Sequence, residues 1–230
     1  MKKKIAVLTG AGVSAESGLK TFRDSGGLWE GYDVREVATP EAWSRNPDLV
    51  LRFYNERRKS VLGAKPNFAH TGLAELERDY DVTVITQNID DLHERAGSSR
   101  VIHLHGQIFQ RCSERNPEIV SEIRGDMQLG EFANDGARWR PNIVWFGEPV
   151  PMMEMAVPVV AEADIFVVVG TSLLVYPAAG LGSYVSSLAS RFVIDKKLPD
   201  IGHWRNLTAI EKPASEGVRE LQRILAERQP

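Results

Sequence analysis

Short apolar runs alternate with amphipathic stretches along almost the whole chain. Ile5 to Leu8 is a brief apolar run that stops at a glycine turn, the pattern of a buried parallel strand. Val82 to Thr86, Val101 to Leu104, Ile143 to Phe146, Phe192 to Ile194 and Asn206 to Ile210 also read as strands. Ile165 to Val169 is the strongest buried strand. Between them lie helical patterns. Asp48 to Leu62 places Leu49, Phe53, Val61 and Leu62 at helical spacing after an Asn46-Pro47 start signal. His70 to Arg78 and Ala178 to Ser190 are expected as helices, and Met152 to Ala163 as one that Pro158 kinks or ends early. Ser215 to Arg228 carries Val218, Leu221, Ile224 and Leu225 on one face. Gly18 to Tyr32 reads as a loop. Gln110 to Arg140 is charged and aperiodic, so it is expected to be an inserted module and no part of a sheet. Strands alternating with helices predict an α/β fold on a parallel sheet.

Composition narrows the classes. A chain of 230 residues with 43% hydrophobic and 26% charged residues can fold without staples. A net charge of −3 argues against nucleic acid as the main partner. The single cysteine, Cys112, excludes an internal disulfide and any zinc site built from several thiolates. No run reaches the length of a membrane span, and the basic start is followed by only four apolar residues before Gly10, too few for the apolar region of a secretory leader. A soluble cytoplasmic protein is expected.

Three segments carry candidate chemistry. Gly10-Ala11-Gly12-Val13-Ser14-Ala15 fits a dinucleotide loop directly after a strand. Gly10 permits the tight turn, Gly12 lets a pyrophosphate approach, and the small Ala15 lets helix and sheet pack. A plain strand-to-helix turn is the alternative. The acidic residue that a dehydrogenase places about 20 residues later is missing, which weighs against hydride transfer. Thr86-Gln87-Asn88-Ile89-Asp90 crowds polar groups at a strand end, suited to ribose hydroxyls and a carboxamide; a turn or helix cap is the alternative. His105 ends a strand beside it and is a candidate base. His103 and His105 are expected to face apart and so to share no metal. Gly170-Thr171-Ser172 follows the strongest strand and offers backbone and hydroxyls to a phosphate or ribose.

Taken together and in this order, these residues resemble the sirtuins, the NAD-dependent protein lysine deacylases. The matching stretches are Gly10 to Gly18 with Phe22-Arg23, Thr86 to Asp90 with Leu92-His93, His105-Gly106, Ile143 to Glu148, and Gly170 to Leu173 with Pro177-Ala178. The resemblance implies a Rossmann-like domain, residues 1–32, 72–109 and 141–230. It implies a smaller inserted domain, 33–71 and 110–140, made of a helical module and a degenerate zinc-ribbon module. NAD is the implied cofactor, held by Gly10, Ala11, Gly12, Ala15, Phe22, Arg23, Gln87, Asn88, Ile89, Asp90, Gly170, Thr171, Ser172, Asp195 and Ala214. His105 is the implied base, with Asn88 in the catalytic set.

Acyl-lysine proteins or peptides are the implied partners, seated as a strand between Trp145-Phe146-Gly147-Glu148 and Leu174-Val175-Tyr176. Tyr54 and Arg57, three apart on a helix, resemble the motif of desuccinylase-type sirtuins and imply a preference for succinyl or malonyl over acetyl. A solvated basic face made of Arg52, Arg57, Arg58 and Lys59 is the plain alternative. An ADP-ribosyl transferase or an NAD-sensing module on the same fold are the competing functions. Lys20 stands where the family usually has Pro, and Asp195 where it often has Asn. No zinc is expected. The four positions that carry zinc cysteines in most sirtuins read Cys112, Arg115, Phe132 and Asp135, and Phe132 with Trp139 is expected to form an apolar cluster there.

Overall fold

The computed structural model describes residues 2–20, 28–29, 31–200, 202 and 204–228. The expected cofactor residues Phe22 and Arg23 lie outside the described residues. The strands are β1 Lys4–Thr9, β2 Leu28–Trp29, β3 Tyr32–Asp33, β4 Asp81–Thr86, β5 Val101–His103, β6 Gly106–Ser113, β7 Val120–Glu122, β8 Trp139–Ile143, β9 Ile165–Val169, β10 Ser190–Asp195 and β11 Leu207–Glu211. The helices are α1 Ala11–Ser14, α2 Val34–Val37, α3 Pro40–Arg45, α4 Pro47–Gly63, α5 Phe68–Glu75, α6 Leu92–Arg95, α7 Met153–Ala161 and α8 Ala214–Glu227.

Six strands form one parallel sheet in the order β11-β10-β9-β1-β4-β5. This is the doubly wound order, with its reversal point between β1 and β9. Period-two alternation sends the side chains of β1 to opposite faces. Ile5 and Val7 enter a core with α5 and α8, whereas Ala6 and Leu8 enter another with α7. Both faces are covered, so the strand reads as an unbroken apolar run.

A second, antiparallel sheet has the order β7-β6-β8. This corrects the expectation that 110–140 lies outside any sheet. Its long strand β6 is buried in successive pairs, with no period-two alternation, and charges are paired across the module, Arg111 with Glu131 and Arg138 with Glu114. No apolar run is needed for these strands to form. Helices α2, α3 and α4 share an apolar core with β6, β8 and Trp145, and that core extends to Ile89 and Leu92. Asn46 caps α4, its side-chain oxygen accepting from Leu49 N–H at 3.2 Å with Pro47 in the first turn.

Other boundaries differ for local reasons. Helix α7 runs three residues past Pro158, which forfeits only the bond to the Glu154 carbonyl. Ala178–Tyr184 is a 3-10 helix where an α-helix to Ser190 was expected; Gly180 and Gly182 weaken the α form. Only Ile143 of the expected strand 143–146 is in a strand. Beyond it, Trp145 N–H goes to the Glu148 carboxylate and Phe146 N–H to the Ala38 carbonyl. The expected loop 18–32 contains β2, paired antiparallel with β3. Among the described residues no helix is long and apolar enough to cross a membrane.

Candidate active site

At the reversal point, the chain leaves β1 and β9 toward opposite sides and opens a crevice at their carboxyl ends. The loops after these two strands are in contact. Gly12 N–H donates to the Gly170 carbonyl at 2.8 Å. Gly170 has φ +63°, and a Cβ there would stand 2.4 Å from the Val13 nitrogen. The glycines are therefore required first by loop-to-loop packing, a demand that the sequence reading did not assign to them. Ala15 does not pack a long helix onto the sheet, as expected; α1 is four residues long, and Val13 is the residue that enters the core.

The loop after β4 brings Gln87, Asn88, Ile89 and Asp90 to the same end of the sheet. Gln87 Nε2 donates to Thr171 Oγ1 at 3.0 Å, tying this loop to the one after β9. Asn88 Nδ2 donates to Ser14 Oγ at 3.1 Å, and Ser14 Oγ–H donates to Asp90 Oδ2 at 3.1 Å. His70 Nδ1 accepts from Asn67 N–H at 3.2 Å, so its proton sits on Nε2, 3.4 Å from Ser14 Oγ. Ser14 thus accepts twice and donates once, and all four groups are buried. Burial drives the electrostatics. It raises the Asp90 pKa against the pull of the Leu92 N–H and Ser14, and it lowers His70 to about 4.

His103 and His105 occupy different surroundings. The period-two rule alone would put them on one face. They part because β5 ends at His103 and the chain turns through Leu104 and His105. Gly106 then has φ +82°, and a Cβ on it would lie 2.0 Å from the Asn142 carbonyl oxygen, so only glycine lets the chain pass β8 here. His105 Nδ1 lies 3.0 Å from the Gln87 carbonyl. A carbonyl only accepts, so Nδ1 carries the proton and Nε2 is a free lone pair. Burial lowers the His105 pKa, opposed by that carbonyl, and keeps the ring neutral at pH 7.

Helix α4 presents Tyr54 and Arg57 inward. Both are buried, as is Arg58, whereas Arg52 and Lys59 are exposed; a solvated basic face accounts for only half of this cluster. Tyr54 Oη accepts from Trp145 Nε1 at 3.0 Å. Its pKa is raised, chiefly by burial. The Arg57 charge acts on both Tyr54 and Asp90. Trp145 is fixed from the other side. Arg140 stacks over its ring at 3.6 Å and forks onto the Glu148 carboxylate with bonds of 2.7 and 3.0 Å. Phe146 is exposed, as are Leu174 and Tyr176, and Gly147 has φ +92°. Val175 is half-buried, its carbonyl accepting from Ala179 N–H.

On the far side of the crevice, Asp195 closes β10 and is buried, its carboxylate accepting from Lys197 N–H at 3.0 Å. Ala214 starts α8 and is buried. Thr171 is buried and Ser172 half-buried. These four lie at the carboxyl ends of β9 and β10 and the start of α8, and Thr171 reaches the His105 side through its bond from Gln87.

A model of the Sir2 family matches residues 10–177 of this chain, from the glycine loop through to the segment after β9. The chain belongs to the Sir2 family. A relative from Bacteroides thetaiotaomicron, an NAD-dependent protein deacylase, is 54% identical over 229 residues, covering 97% of this chain and 98% of its own length. A crystal structure of a Sir2 homologue bound to NAD superimposes with a TM-score of 0.86 at 37% identity, covering 98% of this chain and 90% of that one. A Sir2 complex with a p53 peptide and NAD+ gives 0.81 at 30% identity, covering 98% and 95%.

The residues of this Sir2 fold suit NAD. Gln87, Asn88, Ser14 and Thr171 supply amides and hydroxyls in one crevice, the donor set that ribose and carboxamide groups need. The zinc-ribbon positions do not suit zinc. Cys112 is buried with its sulfur 4.0 Å from the Pro141 carbonyl. Arg115 is a cation, and Asp135 already accepts from Ser113 Oγ at 2.6 Å and presents its carbonyl to Arg115. Among the described residues no three of His, Cys, Asp and Glu come together to hold a metal. The expected Phe132–Trp139 cluster does not form a buried plug: Phe132 is 60% exposed, and Trp139 packs on the core of α2, α3 and α4 beneath Arg111. Polar clasps bind the module where the sequence suggested an apolar plug. Sequence reasoning also passed over Ser14, His70 and Arg140 as site residues, and named Glu148 only as the end of a peptide-flanking segment. Ser14 had one signal, a hydroxyl inside the glycine motif; His70 had none, its partner Ser14 lying 56 residues away.

Proposed function

We propose that this Sir2-family chain is an NAD-dependent protein lysine deacylase that favours acyl groups ending in a carboxylate, succinyl or malonyl, over acetyl. The observation that carries the first part is His105, neutral, with its proton fixed on Nδ1 and Nε2 left as a base at the mouth of the crevice. Gln87, Asn88, Ile89 and Asp90 would hold the nicotinamide ribose end. Gly10, Ala11, Gly12, Ala15, Gly170, Thr171 and Ser172 would hold the phosphates, and Asp195 and Ala214 the adenosine. NAD, when bound, supplies the ribose that accepts the acyl group and loses nicotinamide. The chain's own work is to orient the reacting groups and take a ribose hydroxyl proton on His105 Nε2.

The second part rests on Tyr54 and Arg57, buried together on α4 with the Arg57 charge reaching toward Asp90. A guanidinium fork with a tyrosine hydroxyl beside it suits a carboxylate. Trp145, Phe146, Gly147 and Val175 would flank the acyl-lysine peptide, and the exposed Phe146, Leu174 and Tyr176 give it an apolar seat. No membrane or nucleic-acid partner enters this reading. Two domains, 1–32 with 72–109 and 141–230, and 33–71 with 110–140, belong to it, as does a cytoplasmic setting, which a single cysteine suits. The fold of the ribbon module is taken to need no zinc.

Product analysis tests the proposal. A succinyl-lysine peptide with NAD should give free lysine, nicotinamide and O-succinyl-ADP-ribose. An ADP-ribosylated peptide would instead favour the transferase. NAD binding with no turnover on any acyl peptide would favour a sensor.

A further inference from the structure

Two histidines, two residues apart, grip consecutive carbonyls of one loop. His105 Nδ1–H donates to the Gln87 carbonyl at 3.0 Å, and His103 Nδ1–H donates to the Asn88 carbonyl at 3.1 Å. Their second nitrogens differ. His105 Nε2 is left as a base. His103 Nε2 stands 2.6 Å from Glu94 Oε1 on α6. A carbonyl and a carboxylate are both acceptors, so a ring that bonds to both must carry two protons.

We propose that His103, held as an imidazolium between Glu94 and the Asn88 carbonyl, is a positioning residue for the Gln87–Asp91 loop, and that loss of its second proton slackens the loop and lowers turnover. This rests on the deacylase reading of the site. The same loop fixes the His105 tautomer through Gln87 and presents the Asn88 amide to Ser14, so slack in it reaches both groups. A neutral His103 has one N–H and must give up one of its two partners.

The surrounding charges are consistent with this geometry. Burial opposes a charge on His103, but Glu94 on α6, the Asn88 carbonyl and Asp90 in the loop outweigh it and raise its pKa above the ordinary histidine value. Glu94 is ionised, its pKa lowered by His103 in spite of burial. The remaining neighbour, His93 on α6, is kept neutral by burial. Asp91 on the same loop is paired with Arg95 and Arg124. The two-pronged grip is present below the ordinary histidine pKa and is lost as pH rises through the raised value.

The test is the pH profile of deacylation by wild type, Glu94→Gln and His103→Gln, with ¹⁵N NMR of the histidine rings in the wild-type protein. At pH 7 the His103 ring should show both nitrogens protonated and His105 only Nδ1. Glu94→Gln should move the alkaline limb of kcat to lower pH by about one unit. His103→Gln, with no proton to lose, should abolish that limb and lower kcat about tenfold, with a smaller change in KM for NAD. A singly protonated His103 at pH 7 overturns the proposal. So does an alkaline limb that both variants share with wild type. If the wild type deacylates nothing, the functional reading fails, and the NMR result still decides the state of His103.

Discussion

Replacing Arg57 by Met removes the charge that the specificity argument depends on and keeps an unbranched chain of similar length. Arg57 is 7% exposed and lies one helical turn from Tyr54, and its field acts on Tyr54 and Asp90. A carboxylate about 4 Å from such a guanidinium, at an effective dielectric near 20, gains about 4 kcal/mol of Coulomb energy. Stripping water from the acyl carboxylate takes back part of this. Charge-assisted hydrogen bonds keep about 1.5–3 kcal/mol net, or roughly 10- to 150-fold in kcat/KM. An acetyl group has no charge to lose, so Arg57→Met should leave its kcat/KM within about threefold of wild type. Folding should survive, because a buried cation exchanged for an apolar chain of similar volume is often neutral or stabilising. The assay compares kcat/KM for one peptide carrying succinyl or acetyl on the same lysine, with thermal melting of each variant as control. The reasoning is refuted if the substitution lowers both activities equally, or if wild type removes acetyl as fast as succinyl.

Gly170→Ala should cost about 2–4 kcal/mol of stability and weaken NAD binding, because its Cβ would meet the Val13 nitrogen at 2.4 Å and the Gly12 carbonyl carbon at 2.6 Å, both backbone; denaturant unfolding and NAD titration check it, and a wild-type-like midpoint would contradict it. His70 has a folded pKa of about 4 against 6.5 unfolded, so the unfolded state binds more protons in between and stability falls as pH drops from about 6.5 to about 4. The loss from His70 alone is roughly 3 kcal/mol, His93 acts in the same direction, and His70→Gln should flatten urea midpoints across that window. Chelator should leave the melting temperature unchanged and washed protein should hold no stoichiometric zinc, since Arg115, Phe132 and the engaged Asp135 replace three of the four cysteines; unfolding by chelator would show the ribbon reading wrong.

The parallel sheet was legible because its strands are buried on both faces. Runs such as Ile165 to Val169 leave a signal that needs no partner to interpret. The antiparallel module left none. Its longest strand, β6, is buried in pairs without period-two alternation, and ion pairs such as Arg138 with Glu114 join residues 24 apart in sequence. The glycine loop, the Gln87 to Asp90 segment and His105 were visible as motifs at strand ends. What surrounds them was not. Ser14, His70, Asn88 and Asp90 meet from three separate segments, and only folding closes that network. The tautomer of His105 was likewise beyond sequence, because a backbone carbonyl sets it. The pairing of His103 with Glu94 was not legible, because it joins β5 to α6 and only folding sets how those two elements meet.

The central claim is that His105 Nε2 is the base, and His105→Ala tests it most directly. Nicotinamide release and O-acyl-ADP-ribose formation from a succinyl-lysine peptide should be followed by mass spectrometry beside calorimetric NAD titration. The account predicts turnover lower by roughly 10²- to 10⁴-fold with NAD affinity retained. It also predicts a wild-type acidic limb below the ordinary histidine pKa, because burial lowers that of His105. Near-wild-type turnover in His105→Ala would contradict the assignment.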